Sequence, residues 1–534
     1  MKGLIFEALT PQADAAANRT DLACFIGFAK VRAVEVPEDL RQSLQHEGWW
    51  STANSTGSQP GAHSLYDVPI TIASWERFDQ LFAWEQRPYG ERQTMGATYL
   101  GAAVRSFFAQ GGRKCYVISC GEPVALDADY AAREAMLLQL VPDDTGQRSD
   151  RSQWHGLHHL FGLPGASMVA LPDLAELAGV YREATATPIE VPPPLPEFLE
   201  CSQPTAAIRE EKEVLYLAAP TCTDTEYDRW RTVIHRAARF LADHRRDMQL
   251  VAALPMPQRE STAASGLLAF MHQRGWLSGA LSAQSCPASS AGLSDADQEA
   301  CSIASAFVQL GYPWLQAGYA GDLPANLEPP EGVMAGLLAR NALTRGTFCS
   351  ATPLALHDLV TVAPQLRQSQ QFGLNPKAPL RASPQAPLID RVSLLGPTPE
   401  GFRLLSDVTT HNHSNYRQAN ISRTIGLVMR VARSIGEEYV FESSGERLWG
   451  QLRARLEDVL EAMQRVGALA GTGSEEAFAV RCDRSTMTRQ DIDQGRVIVE
   501  VLIRPAASIE TMRIQLAFGD GGHVALSSLG MEAA

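Results

Sequence analysis

What limits this chain's fold most is a recurring pair: an amphipathic stretch of helical spacing, then a short apolar run bounded by turn residues. VPITI (residues 68–72) reads as a short strand, and SWERFDQLFAW begins a helix with Ser74 as its N-cap candidate. TYLGAAVRSFFAQGG is a helix closed by Gly111 and Gly112, and RKCYVISC is the strand after it. The pattern returns in DYAAREAMLLQLV before SMVALPD, and in DRWRTVIHRAARFLADHRRD before MQLVAALP. Helices alternating with strands predict an α/β layered domain.

At 534 residues the chain has length for two to four domains at roughly 150 residues each. LACFIGFAKV (22–31) and EVLYLAAP (213–220) read as further strands. The stretch 40–63, with Trp49 and Trp50, reads as a loop or insertion. Residues 295–312 contain a helix-like stretch, and EGVMAGLLARNALTRG (331–346) is a helix rich in small residues. PIEVPPPLPEF (188–198) is a semi-rigid proline-rich linker, and a boundary is placed in the Gln-, Pro- and Ser-rich stretch 366–387.

Beyond it, RVSLLG and GFRLLSDV look like a strand pair, and two long helices follow near 416–437 and 447–466. AFAVRCDR and GRVIVEVLIRP are strands joined by a polar loop around Asp491 and Asp493. The terminal segments 3–9 and 510–518 are strands without a neighbour in sequence to pair with. Their exposed backbone groups predict pairing with something distant, such as another chain. The expected division is an N-terminal arm at 1–21, a large α/β part at 22–385, a second part at 386–509, and a C-terminal arm and tail at 510–534. The fold class is thus α/β and α+β, multidomain.

The 46 basic and 60 acidic residues leave a formal charge of −14, which argues against a general nucleic-acid binder. The opening apolar run, 4–6, is too short for a secretory segment, and no apolar stretch approaches the roughly 20 residues that span a bilayer. Synthesis and folding in the cytosol, with no direct membrane insertion, are expected. Nine cysteines without a CxxC pair read as buried free thiols.

Complete catalytic signatures are missing: the sequence has no P-loop and no G-x-S-x-G elbow. WHGLHH places His155, His158 and His159 at a spacing that zinc can use on one helical face, but no carboxylate stands at ligand spacing. The HNH string at 411–413 lacks a second ligand set, and DIDQG from Asp491 fails as a calcium loop because Gly495 replaces an oxygen ligand. No cofactor, no metal and no catalytic residue are expected. In the helix near 416–437, Ile421, Ile425, Val428, Ala432 and Ile435 share one face at about 100° per residue. Arg423 and Arg430 lie opposite, with Arg433 beside them, and the next helix carries Arg453 and Arg455. An apolar seam backed by a basic ridge suits docking onto an acidic protein surface.

In order and spacing, these segments resemble the tail sheath proteins of contractile machines, most closely those of extracellular contractile injection systems. LACFIGFAKV, VPITIASWERFDQLF, YLGAAVRSFFAQGGRKCYVI, LPDLAEL, PPPLPEFLECS, RWRTVIHRAARFLADHRRDMQLVAALP, SAFVQLGYPWL and PPEGVMAGLLARNALTRGTF follow the family order. LLSDVTT, YRQANISRTIGLVMRVARSIGEEYVFE, LWGQLRARLEDVLEAMQRVGALAG and AFAVRCDRSTMTRQDIDQGRVIVEVLIRPAASIE carry the more specific C-terminal part. The departures are a short N-terminal arm, Phe441-Glu442-Ser443-Ser444 ahead of the second long helix, and the ending SIETMRIQLAF.

The resemblance implies a structural subunit that is not an enzyme. It implies stacked hexameric rings around an inner tube, terminal strands added to sheets of neighbouring subunits, and contraction that drives the tube through a target envelope. The strands concerned are then those of Leu4, Ile5 and Phe6 and of Met512, Ile514 and Leu516, and the tube-docking arginines are Arg423, Arg430, Arg433, Arg453 and Arg455. The implied partners are copies of the chain itself, the tube protein, and baseplate and cap proteins. A baseplate or cap component with the same fold is the alternative, and a metal-dependent enzyme using the WHGLHH cluster a more distant one.

Overall fold

A computed structural model describes residues 19–32, 36–49, 65–89, 94–143, 150–181, 218–277, 302–318, 323–372, 387–439, 442, 445–494 and 496–507, and the backbone of 517–518 and 524–525. The expected terminal strand at 3–9, with Leu4, Ile5 and Phe6, lies outside the described residues. So do the linker 188–198, most of 213–220, and Met512, Ile514 and Leu516.

One mixed sheet organises the larger part. Its strands are β1 (Ala23–Gly27), β2 (Ile70–Ile72), β3 (Cys115–Ser119), β4 (Met168–Ala170), β5 (Gln249–Ala253), β6 (Val308–Tyr312), β7 (Ser393–Thr398) and β8 (Gly401–Leu404). They lie in the order β8-β7-β6-β5-β4-β1-β3-β2. The run from β7 to β3 is parallel throughout, and β8 and β2 close the two edges antiparallel.

A parallel sheet must be covered on both faces, and the alternation along each strand does this. Cys24 and Ile26 of β1 enter one core, while Ala23 and Phe25 enter the other. Leu250 and Ala252 of β5 face the first core, and Val251 and Ala253 the second. Helices α1 (Trp75–Leu81) and α2 (Tyr99–Ala109) are capped by Ser74 and Thr98, and α3 (Tyr130–Leu140) by Asp129. The long α4 (Asp224–His244) begins in a capping box of Thr223 and Glu226. Helix α5 (Glu331–Thr344) packs on α2 at backbone distance: a Cβ on Gly332 would lie 2.4 Å from the carbonyl oxygen of Ala103. Layers of helices on both faces of the sheet make this an α/β sandwich, as expected.

Residues 295–301 of the expected helix-like stretch lie outside the described residues, and its end, Val308–Tyr312, is β6 in the middle of the sheet. In residues 302–307, just before it, side chains bond the backbone locally: Ser302 Oγ accepts from Ala304 N at 3.1 Å and Ser305 Oγ from Phe307 N at 3.1 Å. The expected boundary at 385/386 falls just ahead of a strand pair of the large sheet. The expected strand pair after it forms, but β7 and β8 complete the large sheet. A separate core begins only with α6 (Ala419–Glu438) and continues through α7 (Glu446–Arg465), β9 (Phe478–Arg481) and β10 (Glu500–Ile503). The loop around Asp491 joins β9 to β10 as expected, through a short helix capped by Thr488.

Cys24, Cys115, Cys120, Cys222 and Cys482 are buried free thiols, and burial pushes their pKa values up, away from reactivity. No helix of the described residues is long and apolar enough to cross a membrane.

Candidate functional site

Taken in chain order, the parallel strands reverse direction across the sheet between β1 and β4. In doubly wound folds the crevice at that switch, outside the carboxyl ends of the strands, is where ligands are held. This chain fills it with its own side chains. The buried Asp173, just past β4, accepts from Phe28 N at 2.7 Å and from Leu100 N, in the first turn of α2, at 3.2 Å. Its carboxylate thus takes the position of an anion at a helix N-terminus. It lies so close to β1 that a Cβ on Gly27 would meet Asp173 Oδ2 at 2.3 Å.

Around it, Arg87 and Glu176 form a buried ion pair at 2.8 Å. Glu331, opening α5, accepts from Ala253 N at 2.6 Å, and Glu328 from Ser106 Oγ at 2.7 Å. Burial, opposed by Arg87, pushes Asp173 up to about 7, and burial pushes Glu328 and Glu331 up to about 8. The crevice ties strand ends to helix starts.

The opposite end of the sheet, where β5 and β6 begin, carries α6. Arg423, Gly426 and Arg430 are spaced three and four residues apart and share a face. That face packs against the turn entering β5, where a Cβ on Gly426 would lie 2.7 Å from Asp247 O. Arg423 holds Asp407 in a two-pronged pair, Nη2–Oδ2 at 2.6 Å and Nη1–Oδ1 at 3.0 Å. Asp407 also accepts from Gln309 Nε2 and Ala351 N. Burial works against its charge, but Arg423 beside it and these donors hold the carboxyl below the usual range. Arg430 donates to Asp247 O at 2.6 Å, and Asp247 pairs with Arg245 at 3.1 Å and Arg433 at 3.5 Å.

The expected basic ridge is therefore corrected. Arg423 is 9% exposed and Arg430 6%, so neither is a docking surface; both fasten α6 to the sheet. The apolar seam behaves as expected, with Val428 and Ile435 packed in the C-terminal core. A helical wheel shows that two faces differ, and here each faces a different part of the same chain. Arg433 sits at the rim with its side chain 39% exposed. Arg453 and Arg455 lie on the open face of α7, in surface pairs with Glu457 at 3.8 Å and Glu438 at 3.2 Å. The five arginines do not converge on one patch.

The histidines of WHGLHH also part. They fall at the start of a 3₁₀ helix, with His155 exposed and His158 and His159 buried. His159 Nε2 lies 2.8 Å from Asp67 O and Nδ1 3.0 Å from Gly156 O, so each ring nitrogen faces a backbone carbonyl. Among the described residues no group of three or more His, Cys, Asp or Glu is placed to hold a metal. His411 and His413 cap the turn into α6, His413 Nδ1 accepting from Asn415 N at 3.2 Å.

In the C-terminal core β9 and β10 pair only with each other among the described strands, leaving outer edges free of a strand. Leu502 of β10 is 59% exposed and Val466, at the end of α7, 62%. A short two-stranded sheet with exposed apolar side chains is a surface that can accept a further strand.

No protein-family model and no curated relative matches the sequence. Solved structures do. A chain of the PVC extracellular contractile injection system sheath complex in the contracted state matches at TM-score 0.51 and 17% identity, covering 97% of this chain and 98% of that one. A chain of the contracted helical sheath of the anti-feeding prophage (AFP) matches at TM-score 0.51 and 16% identity over the same shares. This chain has the fold of contractile-sheath proteins. A chain of the contracted AFP baseplate structure also matches, at TM-score 0.56 and 18% identity, again over 97% and 98%. The sheath fold runs through both cores described above, so the filled crevice and the α6 junction belong to one architecture.

Proposed function

We propose that this protein is a structural sheath subunit of a contractile injection machine. It polymerises as stacked hexameric rings around an inner tube, contracts by rigid-body rearrangement, and performs no catalysis or nucleotide hydrolysis. The observation that carries this reading is the end-to-end match, over 97% of the chain, to contracted sheaths. A switch-point crevice occupied by Asp173 and Glu331 supports it, because the fold's usual ligand position is used for cohesion. Purified protein is expected to form hollow tubes in negative stain, alone or with its tube partner. Isolated monomers under all assembly conditions would sink the reading. The match to a baseplate structure favours a second reading, a baseplate or cap component, and single rings that never elongate would support that instead.

The terminal strands are proposed to join neighbouring subunits, with the β9–β10 edge as an acceptor. The final strand also has a partner within its own chain, since Ala517–Phe518 pair antiparallel with Val524–Ala525. Deleting residues 1–9 is expected to leave the melting temperature unchanged within a degree or two and abolish tubes, because both cores lie elsewhere. Normal tubes from the truncated chain would remove this role.

With Arg423 and Arg430 buried, tube docking is proposed for Arg433, Arg453 and Arg455. Replacing all three with Gln is expected to weaken co-sedimentation with the tube protein several-fold and to leave the fold intact. Unchanged co-sedimentation at low and at physiological salt would exclude this surface.

A further inference from the structure

Between α6 and the starts of β4, β5 and β6 lies a cavity of about 20 Å³ whose lining includes Gln249, Ser422 and Arg430. Each of these three side chains has a buried polar atom with no hydrogen-bond partner: Gln249 Nε2, Ser422 Oγ and Arg430 Nε. Gln249 is 3% exposed and Arg430 6%, so water outside the protein does not satisfy them. Gln249 Oε1 faces Arg423 Nη1 at 3.4 Å, which leaves the amide nitrogen as the free end. An arginine Nε and an amide nitrogen only donate, and a serine hydroxyl can donate. The unmet demand around this cavity is therefore for an acceptor.

Charge points the same way. Four arginines, Arg245, Arg423, Arg430 and Arg433, meet two aspartates, Asp247 and Asp407. Asp407 is taken by Arg423, and the Asp247 carboxylate by Arg245 and Arg433. Arg430 reaches only the Asp247 carbonyl, so its buried charge has no carboxylate of its own. A buried charge without a counter-charge is costly, and a bound ion removes that cost. The volume exceeds the roughly 10–15 Å³ that admits one water, so there is room for one small ion.

We propose that this cavity is a binding site for one small monovalent anion of chloride size, held by Gln249, Ser422 and Arg430 between α6 and the sheet. The ion would cross-link the C-terminal core to the α/β part, so its affinity adds to the stability of the whole subunit.

The test is the melting temperature of the full-length chain in sodium chloride against sodium gluconate at matched ionic strength. A saturable rise with chloride, reproduced by bromide, is expected. Ser422→Ala removes one donor and should raise the half-saturating chloride concentration roughly fivefold; Gln249→Leu should do the same by a separate route. Crystals grown in bromide should show an anomalous peak among the three side chains. Equal melting in the two salts, a half-saturation identical in wild type and both variants, or a bromide peak only elsewhere would each overturn the site and leave the cavity to water.

Discussion

Asp407→Asn is expected to lower the stability of the purified subunit by about 3–5 kcal/mol, because it leaves the Arg423 guanidinium buried without its counter-charge. The carboxylate and the guanidinium are both nearly inaccessible, and their two short contacts are joined by donors from Gln309 and Ala351. Asparagine keeps the shape but loses the charge and one acceptor oxygen. The loss should be read by urea unfolding followed through tryptophan fluorescence, since Trp449 is buried in the C-terminal core. Arg433→Gln is the control: its side chain is partly exposed at the rim, and about 0–1 kcal/mol is expected. A loss below 1 kcal/mol for Asp407→Asn would mean that the pair does not fasten α6 to the sheet. A charge reversal at Arg423 or Arg430 therefore reports on folding before it reports on any partner.

The second large effect concerns pH. Glu328 and Glu331 are pushed up to about 8 and Asp173 to about 7, each chiefly by burial. A carboxyl whose folded pKa is raised favours the folded state fully below its unfolded value, near 4. The contribution is lost as pH rises through the folded value. Stability should accordingly fall between about pH 4 and pH 8. Glu331→Gln imitates the protonated acid and can still accept from Ala253 N. It should be nearly neutral at pH 5 and stabilising by on the order of 1–3 kcal/mol at pH 8. Thermal melts of wild type and variant across this range measure the difference directly. An identical pH slope in both proteins would show that Glu331 does not titrate in this window. Asp173 is the less suitable probe, because its carboxylate accepts backbone hydrogen bonds from Phe28 and Leu100 and any change there also loosens α2.

By itself the sequence determined the local pieces. Ser74 caps α1, Gly111 follows α2 with a positive φ of 99°, and alternating apolar residues make β1 and β5 strands buried on both faces. Each of these rests on neighbours within a few residues, which is the range over which propensity and spacing act. Tertiary structure decided what faced what. It put β6 in the middle of the sheet, between β5 and β7. It set Asp173, 145 residues from Phe28, into the switch-point crevice, a pairing that no local pattern encodes. It also turned Arg423 and Arg430 inward. A helical period marks a second polar face, but whether that face meets water, a partner or an aspartate of the same chain depends on long-range packing, and here Asp247 and Asp407 were the partners.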